Sequence, residues 1–262
     1  MMKHLLFSLL AIITLTACSD IDSDHRLVAV EGVTPARAVI IEDFTGQDCV
    51  KCPAAHDVLD QLVEQYPDNV IPVSIHAGHF GIAVENRRRI VGLMQPEGND
   101  LCNRWGITAF PMGVVNGKAP ALEMTSWATA VREQIALTTN IDIDLEATLQ
   151  DGNVNITATL KPEADITATL HVWILESGIV APQKKDGGVE IPDYVHNNVY
   201  RCSVNGIEGE AVELTSHIHS TLTFGQPVRT SERETWNTAN LSVVAFLENT
   251  SGVIQAARTI VK

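Results

Sequence analysis

From about residue 139 to the end, apolar and polar residues alternate with a period of two. IDIDLEATL leads into the turn signal Asp151-Gly152-Asn153 and then VNITATL; ITATLHVWILE, LSVVAFLE and VIQAARTIVK are further strand runs. Successive strand side chains point to opposite faces, so alternation of this kind fits strands with one buried face and does not fit a helix. Turn signals separate several of the runs, and no helix of usable length interrupts them. Residues 139–262 are expected to form an antiparallel all-β sandwich, with a β-barrel the lesser alternative because the runs are uneven in length. Within this region residues 181–209, containing DGGVEIPDYVHNNVYRCSVNG, make a long polar excursion. Long loops in compact domains are often functional, and VHNNVYRCSVNG could rim a site; the plainer alternative is a solvated loop.

Residues 37–138 follow another pattern. AVIIEDF (38–44) reads as a buried strand, and Pro53 suits a first helical turn, where its missing N–H costs nothing. Val58, Leu59, Leu62, Val63 and Tyr66 recur at helical spacing until Pro67, and VIPVSI (70–75) is a second buried strand. Strand, turn, helix and strand make a βαβ unit with a parallel pair and a right-handed crossover. Residues 78–99 show no clear period; Asn86-Arg87-Arg88-Arg89 reads as the solvated face of an inserted helix. A short helix at Asp100–Trp105 ends at Gly106. Met112–Val115 is a strand, Asn116-Gly117 a type I′ hairpin signal, and Ser126–Leu137 a helix with Trp127, Val131, Ile135 and Ala128 facing inward. At 262 residues the chain has room for two domains, an α/β one at 37–138 and the sandwich at 139–262.

The N-terminus is expected to be processed. MMKHLLFSLLAIITLTAC has a Lys3 n-region, an apolar run too short to span a bilayer, and then small residues. Residues 1–17 read as a signal peptide. Leu15-Thr16-Ala17-Cys18 resembles a bacterial lipobox, which implies lipidation of Cys18 and a tether over 18–36; an ordinary secretory signal is the alternative. Two or more acyl chains anchor stably where one does not. Ser19 after the cysteine points to the outer membrane, on its periplasmic side or exposed at the surface, and Asp20, Asp22 and Asp24 resemble a surface-export signal or form a solvated acidic linker. The lipid anchor makes the membrane a partner. The formal net charge of −14 argues against nucleic acid and against an anionic membrane surface, which both require a basic footprint.

Setting Cys18 aside leaves four of the five cysteines: Cys49, Cys52, Cys102 and Cys202. Four are too few to scaffold a chain of this size, so the Cys49-x-x-Cys52 pair is read as functional. A cysteine at a helix N-terminus is held toward the thiolate by free N–H groups and the macrodipole. The Cys49 thiolate would attack a substrate disulfide, and Cys52 would resolve the mixed disulfide. Cys102 and Cys202 either bridge the two domains or stay free.

The residues around the pair carry a resemblance. AVIIEDFTGQDCVKC resembles the first strand and active-site turn of thioredoxin-like proteins, which keep a buried acid six residues before the first cysteine. Asp43 stands there, followed by Phe44. The resemblance implies that Asp43 carries the proton to and from Cys52, a task suited to a buried carboxyl. RWGITAFPMGVVNGK resembles the family's cis-proline and hairpin segment. It implies that Pro111 is the cis-proline and that Phe110 backbone pairs with a bound peptide strand. The fold implied is an α/β thioredoxin-like domain followed by an immunoglobulin/fibronectin-like sandwich. Asp48 replaces the family's usual Trp, and its charge should raise the Cys49 pKa unless Lys51 offsets it. Val50-Lys51 is also unusual between the cysteines.

Over nearly the whole mature chain the lipobox, EDFTGQDCVKCPAAH, the FP hairpin and VHNNVYR resemble the outer-membrane-protein-28-related lipoproteins of Bacteroidetes. That family implies an outer-membrane lipoprotein and an adhesin role. Three functions are carried forward. The leading one is a thiol-disulfide oxidoreductase using Cys49, Cys52 and Asp43, with a protein dithiol or disulfide as substrate, a redox partner of unknown identity, no cofactor and no metal. The second is a surface-binding adhesin that uses the fold as a scaffold. The third is a copper chaperone with Cys49, Cys52, His56, His76 and His79 as donors, since soft thiolates suit Cu(I).

Overall fold

VIIEDFT, Val39–Thr45, is buried at every position and forms the first strand, β1, of a computed structural model that describes residues 37–262. The signal peptide, the tether and the lipidation expected at Cys18 lie outside the described residues. After β1 come α1 (Cys52–Gln65), β2 (Val70–His76), α2 (Pro96–Arg104), β3 (Met112–Val115), β4 (Lys118–Leu122) and α3 (Met124–Ile135). Then follow β5 (Ile141–Gln150), β6 (Asn153–Pro162), β7 (Ile166–Glu176), β8 (Ile179–Lys185), β9 (Val189–His196), β10 (Val199–Ser203), β11 (Glu210–Leu214), β12 (Ser220–Pro227), β13 (Leu241–Asn249) and β14 (Gly252–Ile260).

β1 and β2 run parallel in register from Val39↔Val70 to Thr45↔His76, with α1 between them in sequence. β3 flanks β1 on its other edge, antiparallel, and turns into β4 through Asn116 and Gly117. Both turn residues have positive φ, 51° and 61°, as a type I′ turn requires. Val39 and Ile41 pack with Leu59 and Leu62 of α1 and with Trp127 and Val131 of α3. Ile40 and Phe44, on the opposite face, pack with Leu101 and Cys102 of α2. Ala128 is exposed. No helix covers residues 81–95, where an inserted helix was expected.

The expected fold class does not hold. The strands of both halves form one sheet of nine, in the order β14-β13-β7-β10-β2-β1-β3-β4, with β11 also on β7. Of the described residues 48% are strand and 19% helix, with three α-helices, so the fold is β-rich rather than an α/β thioredoxin-like domain followed by a sandwich. The physical reason lies at the outer edge of β2. Val199 of β10 pairs in parallel with Ser74, whose N–H donates to the Asn198 carbonyl at 2.8 Å. Backbone groups at a buried sheet edge must find partners. Here a strand far along the chain supplies them and fuses two sheets that local patterns read as separate. The core follows the sheet: Phe44, Val73 and Leu101 share a cluster with Trp173, Tyr200 and Phe246. Trp173 meets Tyr200 and Phe246 edge-on at 5.2 and 4.8 Å. Each fully buried side chain of the Leu, Ile or Phe kind stabilises this layer by about 1.5–3 kcal/mol relative to exposure.

The three-stranded sheet β12-β6-β5 covers the other face of β7 and β13, enclosing Ile141, Ile156, Leu160, Leu170, Val172 and Val243. Residues 181–209 are not a loop. β8 and β9 form an antiparallel hairpin over residues 179–196, and β10 follows it into the main sheet. Among the described residues no helix is long and apolar enough to cross a membrane.

Candidate functional site

The face of β1 that carries Val39 and Ile41 toward α1 continues, by the two-residue period, to Asp43 and Thr45. On β2 the same face carries Ser74 and His76, paired in register with Asp43 and Thr45. The row facing α1 therefore turns from apolar to polar at the carboxyl ends of both strands. The chain turns there through Gly46, Gln47 and Asp48, and α1 starts at Cys52 with Pro53 in its first turn. Cys49 and Cys52 form a disulfide. Cys49 is 2% exposed and Cys52 is fully buried. His56 lies one helical turn beyond Cys52, on the side facing β1.

Asp43 is fully buried, and neither carboxylate oxygen has a hydrogen-bond partner among the described residues. Burial pushes its carboxyl up to about 8. Its polar neighbour is His56, whose Nε2 lies 3.6 Å from Oδ2. Nε2 also lies 3.0 Å from the Thr45 hydroxyl, and Nδ1 is 2.8 Å from the hydroxyl of Tyr194 on β9. Burial holds His56 down at about 4, with the Asp57 charge working the other way. His76 and His196 complete the cluster, with ring centres 5.3 Å apart. Burial lowers both: His196 to about 3 with help from His56, and His76 well below its ordinary value with help from His196 and His56. A cavity of about 40 Å³ opens between His56, Ser74, His76, Tyr194 and His196. Glu42, the other buried acid of β1, faces away and is satisfied by the Trp105 indole N–H at 3.1 Å.

The turn is roofed from two sides. The Gln183 side-chain amide donates to the carbonyls of Cys49 and Gly46 at 2.9 and 3.2 Å. Gln47 donates to the carbonyls of Val91 and Pro182 at 2.9 and 3.1 Å. The Lys184 N–H donates to the Gln47 carbonyl, and the Asp48 N–H to that of Phe80. The Asp48 carboxylate sits between Arg88 at 2.8 Å and Lys184 at 2.9 Å. Burial alone would raise its pKa; the hydrogen bonds and charges of Lys184 and Arg88 prevail and hold it below its ordinary value. The charge expected to disturb Cys49 is thus compensated, by Arg88 and Lys184 rather than Lys51. Arg88 was read as part of a solvated face, and it also reaches Glu190 at 3.4 Å.

The Phe110–Pro111 bond is cis. Met112, the next residue, pairs with Phe44, so Phe110 and Pro111 lie at the same end of β1 as the disulfide turn. The Phe110 ring meets Phe80 and His79 edge-on at 5.7 and 6.0 Å. The five donors considered for copper do not form one set: His56 and His76 line the same cavity, but His79 is tilted against Phe80 at 3.9 Å and the two sulfurs are bonded to each other. Among the described residues no group of three or more His, Cys, Asp or Glu is arranged to hold a metal ion. Cys102 and Cys202 are free and buried, without a bridge between them, and burial pushes the Cys202 thiol up to about 12. Sequence reasoning missed Gln183, Tyr194 and Arg88 as site residues. The polarity of the 181–209 excursion was the available signal, and VHNNVYR does contribute His196, Asn197 and Asn198 to the cavity wall.

A crystal structure of a protein from Agrobacterium tumefaciens, 15% identical, superposes with a TM-score of 0.52 over 86% of this chain and 95% of its own. That likeness shows a shared fold and nothing of function. A crystallised domain of the outer membrane lipoprotein Omp28 from Porphyromonas gingivalis is 22% identical over 47% of this chain and 89% of its own, with a TM-score of 0.35. No curated protein sequence matches the chain. Residues 98–262 match the family model described as outer membrane protein Omp28, a stretch that begins beyond the disulfide and includes Pro111, Gln183 and Tyr194. With more than half of its length in that match, the chain belongs to the outer membrane protein Omp28 family, and its place is the outer membrane.

Proposed function

We propose that this outer-membrane protein exchanges disulfides with a protein or peptide dithiol through Cys49 and Cys52, with Asp43 as the proton carrier for Cys52. The observation that carries the proposal is Asp43 itself. A carboxyl buried without a hydrogen bond costs stability, on the order of 1–3 kcal/mol, and among the described residues neither Asp43 oxygen has one. With a pKa of about 8 it is protonated at neutral pH yet close to exchange, which is what proton transfer at a leaving thiolate requires. The ring closed by residues 49–52 is short, so as a staple it contributes only about 2 kcal/mol in the chain-entropy account. Phe110 and Pro111, at the same end of β1, are the proposed contact for the substrate backbone. Cys18 is the proposed lipid attachment that holds the protein to the membrane. The redox partner that resets the pair is a second protein thiol system of unspecified identity.

A second reading is favoured by the burial of both sulfurs. A disulfide roofed by Gln183 and Lys184 also suits a binding protein whose β-rich body is the working surface and whose Cys49–Cys52 bond is structural. One experiment separates the two. The redox titration of Cys49/Cys52 is combined with an insulin-reduction assay on the wild type, Cys49→Ser and Asp43→Asn. Exchange predicts thiol-dependent turnover that Cys49→Ser abolishes and Asp43→Asn slows by about a hundredfold. No turnover in the wild type, with surface binding intact in Cys49→Ser, leaves the binding protein.

A further inference from the structure

We propose that His56 reloads Asp43 with a proton after each exchange step, and that the Tyr194 hydroxyl links His56 to solvent. This inference rests on the exchange reading above. Asp43 is fully buried, and neither of its oxygens is hydrogen-bonded among the described residues. His56 offers a path outward. Its Nε2 is 3.6 Å from Asp43 Oδ2, and its Nδ1 is 2.8 Å from the hydroxyl of the half-buried Tyr194. An imidazole with an acid at one nitrogen and a hydroxyl at the other can pass a proton through without becoming charged at rest. The neighbouring cavity of about 40 Å³ is large enough for a water molecule and is lined by His56, Tyr194, His76 and His196.

The step balances as follows for a small dithiol. One thiolate of the dithiol attacks Cys49 Sγ, the Cys49–Cys52 bond breaks, and Cys52 leaves with the electron pair. Cys52 takes the proton of the Asp43 carboxyl. The second thiol of the dithiol loses its proton to solvent and attacks the mixed disulfide, closing its own disulfide and releasing Cys49 as thiolate. The dithiol is oxidised by two electrons and the Cys49–Cys52 pair is reduced by two. Asp43 is now a buried carboxylate. His56 Nε2–H gives it a proton, Nδ1 takes one from the Tyr194 hydroxyl, and Tyr194 takes one from water. Without that return, while the mixed disulfide still stands, the buried charge draws the proton back from Cys52, whose thiolate re-attacks Cys49 Sγ and expels the dithiol as thiolate.

Several groups face His56 and set its balance. Asp57 and Asp60 lie on its own helix, Asp43 and Thr45 on β1, Ser74 and His76 on β2, and Tyr194 and His196 on β9. Burial holds all three histidines toward the neutral form, with His56 also lowering His76 and His196, which suits relay rather than storage of charge.

The test is single-turnover reduction of the oxidised protein by dithiothreitol from pH 5 to 9, with reduced cysteines trapped by alkylation and counted by mass. Wild type, Asp43→Asn, His56→Gln, His56→Ala and Tyr194→Phe are compared. The relay predicts net reduction about tenfold slower in His56→Gln, a smaller loss in Tyr194→Phe, and recovery of His56→Ala by added imidazole. A packing role for His56 would not give the imidazole rescue. Wild-type rates and pH profiles in both His56→Gln and Tyr194→Phe, alongside a slow Asp43→Asn, overturn the relay and leave the exchange reading standing. If Asp43→Asn is reduced as fast as the wild type, the exchange reading itself fails. Should His56→Gln not fold, Tyr194→Phe decides alone, since it removes one oxygen from a half-buried side chain.

Discussion

The Gln183 amide donates to the Cys49 carbonyl at 2.9 Å and so pins the β8–β9 hairpin onto the turn that holds the disulfide. Both cysteines are buried, and the turn is also held by the segment around Phe80 and Val91. The expectation is that a reductant reaches Cys49 when the hairpin lifts. The same amide also donates to the Gly46 carbonyl, and two net hydrogen bonds at about 1 kcal/mol each are worth a factor of roughly thirty in an opening equilibrium. Gln183→Ala should therefore speed reduction of the disulfide by dithiothreitol by up to about thirtyfold, followed by thiol alkylation under native conditions. An unchanged rate would show that the hairpin is not the barrier.

Asp48 with Arg88 and Lys184 forms the second hold on the same turn. Because its pKa is lowered by those partners, Asp48 contributes stability above its ordinary value near 4, and that contribution is lost as the pH falls through the lowered folded value. Replacing both cations, as in Arg88→Met with Lys184→Met, leaves its charge uncompensated beside Cys49. In the reduced protein the Cys49 thiol pKa should then rise by about one unit. The rate of iodoacetamide reaction against pH reads this directly. Adding Asp48→Asn to the double variant should return the profile toward the wild type; if it does not, Asp48 is not the source of the shift.

Stability against pH should carry the signature of the buried cluster. Asp43 and Glu42 both have carboxyls raised to about 8 by burial, so the stability they confer is fully present below about 4 and falls as the pH rises toward 8. His56 and His196 are lowered to about 4 and about 3, so their share is present above 6.5 and is lost as the pH falls toward those values. Of these four groups only the acids act above 6.5, and Asp43→Asn should gain on the wild type steadily up to pH 8. A gain on the order of 2 kcal/mol at pH 9, about 4–8 °C in Tm for a chain of this size, is expected, shrinking at pH 4. Thermal unfolding of the two proteins at four pH values checks it. Equal melting temperatures at pH 9 would mean that Asp43 is not buried as described.

Much of the site was legible in the sequence because its first half is local. β1, α1 and β2 lie close together in the chain, so hydrophobic period and Pro53 suffice to place Asp43 on the strand and Cys52 at the helix start. The hairpin at Asn116-Gly117 is equally local. What escaped depends on distant pairing. The joining of β10 to β2 through Val199 and Ser74 leaves no periodic trace, since a strand reads the same at a free edge and at a shared one. That single pairing joins strands from the two expected regions in one sheet. Gln183, Tyr194 and Lys184 were hidden for a related reason. They sit on a two-stranded hairpin with exposed valines on its outer side, Val180, Val189 and Val195, and its mixed composition reads as loop.

Two glycines separate steric from conformational demand, and both are testable. At Gly46 a Cβ would lie 2.5 Å from the carbonyl carbon and oxygen of Phe80, which are backbone atoms and cannot swing aside. At Gly106 nothing lies within 4 Å, and the demand is the positive φ of 62° alone. Gly106→Ala should therefore cost about 1 kcal/mol, the ordinary penalty for a side chain in the left-handed region. Gly46→Ala must push the turn away from Phe80, at about 1–3 kcal/mol of overpacking, and it weakens the Asp48 N–H bond to the Phe80 carbonyl at 2.9 Å. Since that turn carries Cys49, the same substitution should make the disulfide more accessible to reductant, while Gly106→Ala leaves it untouched. Urea midpoints measured beside dithiothreitol reduction rates distinguish the two. A Gly46→Ala protein as stable as Gly106→Ala and no faster to reduce would mean that the turn yields freely and is not clamped by Phe80.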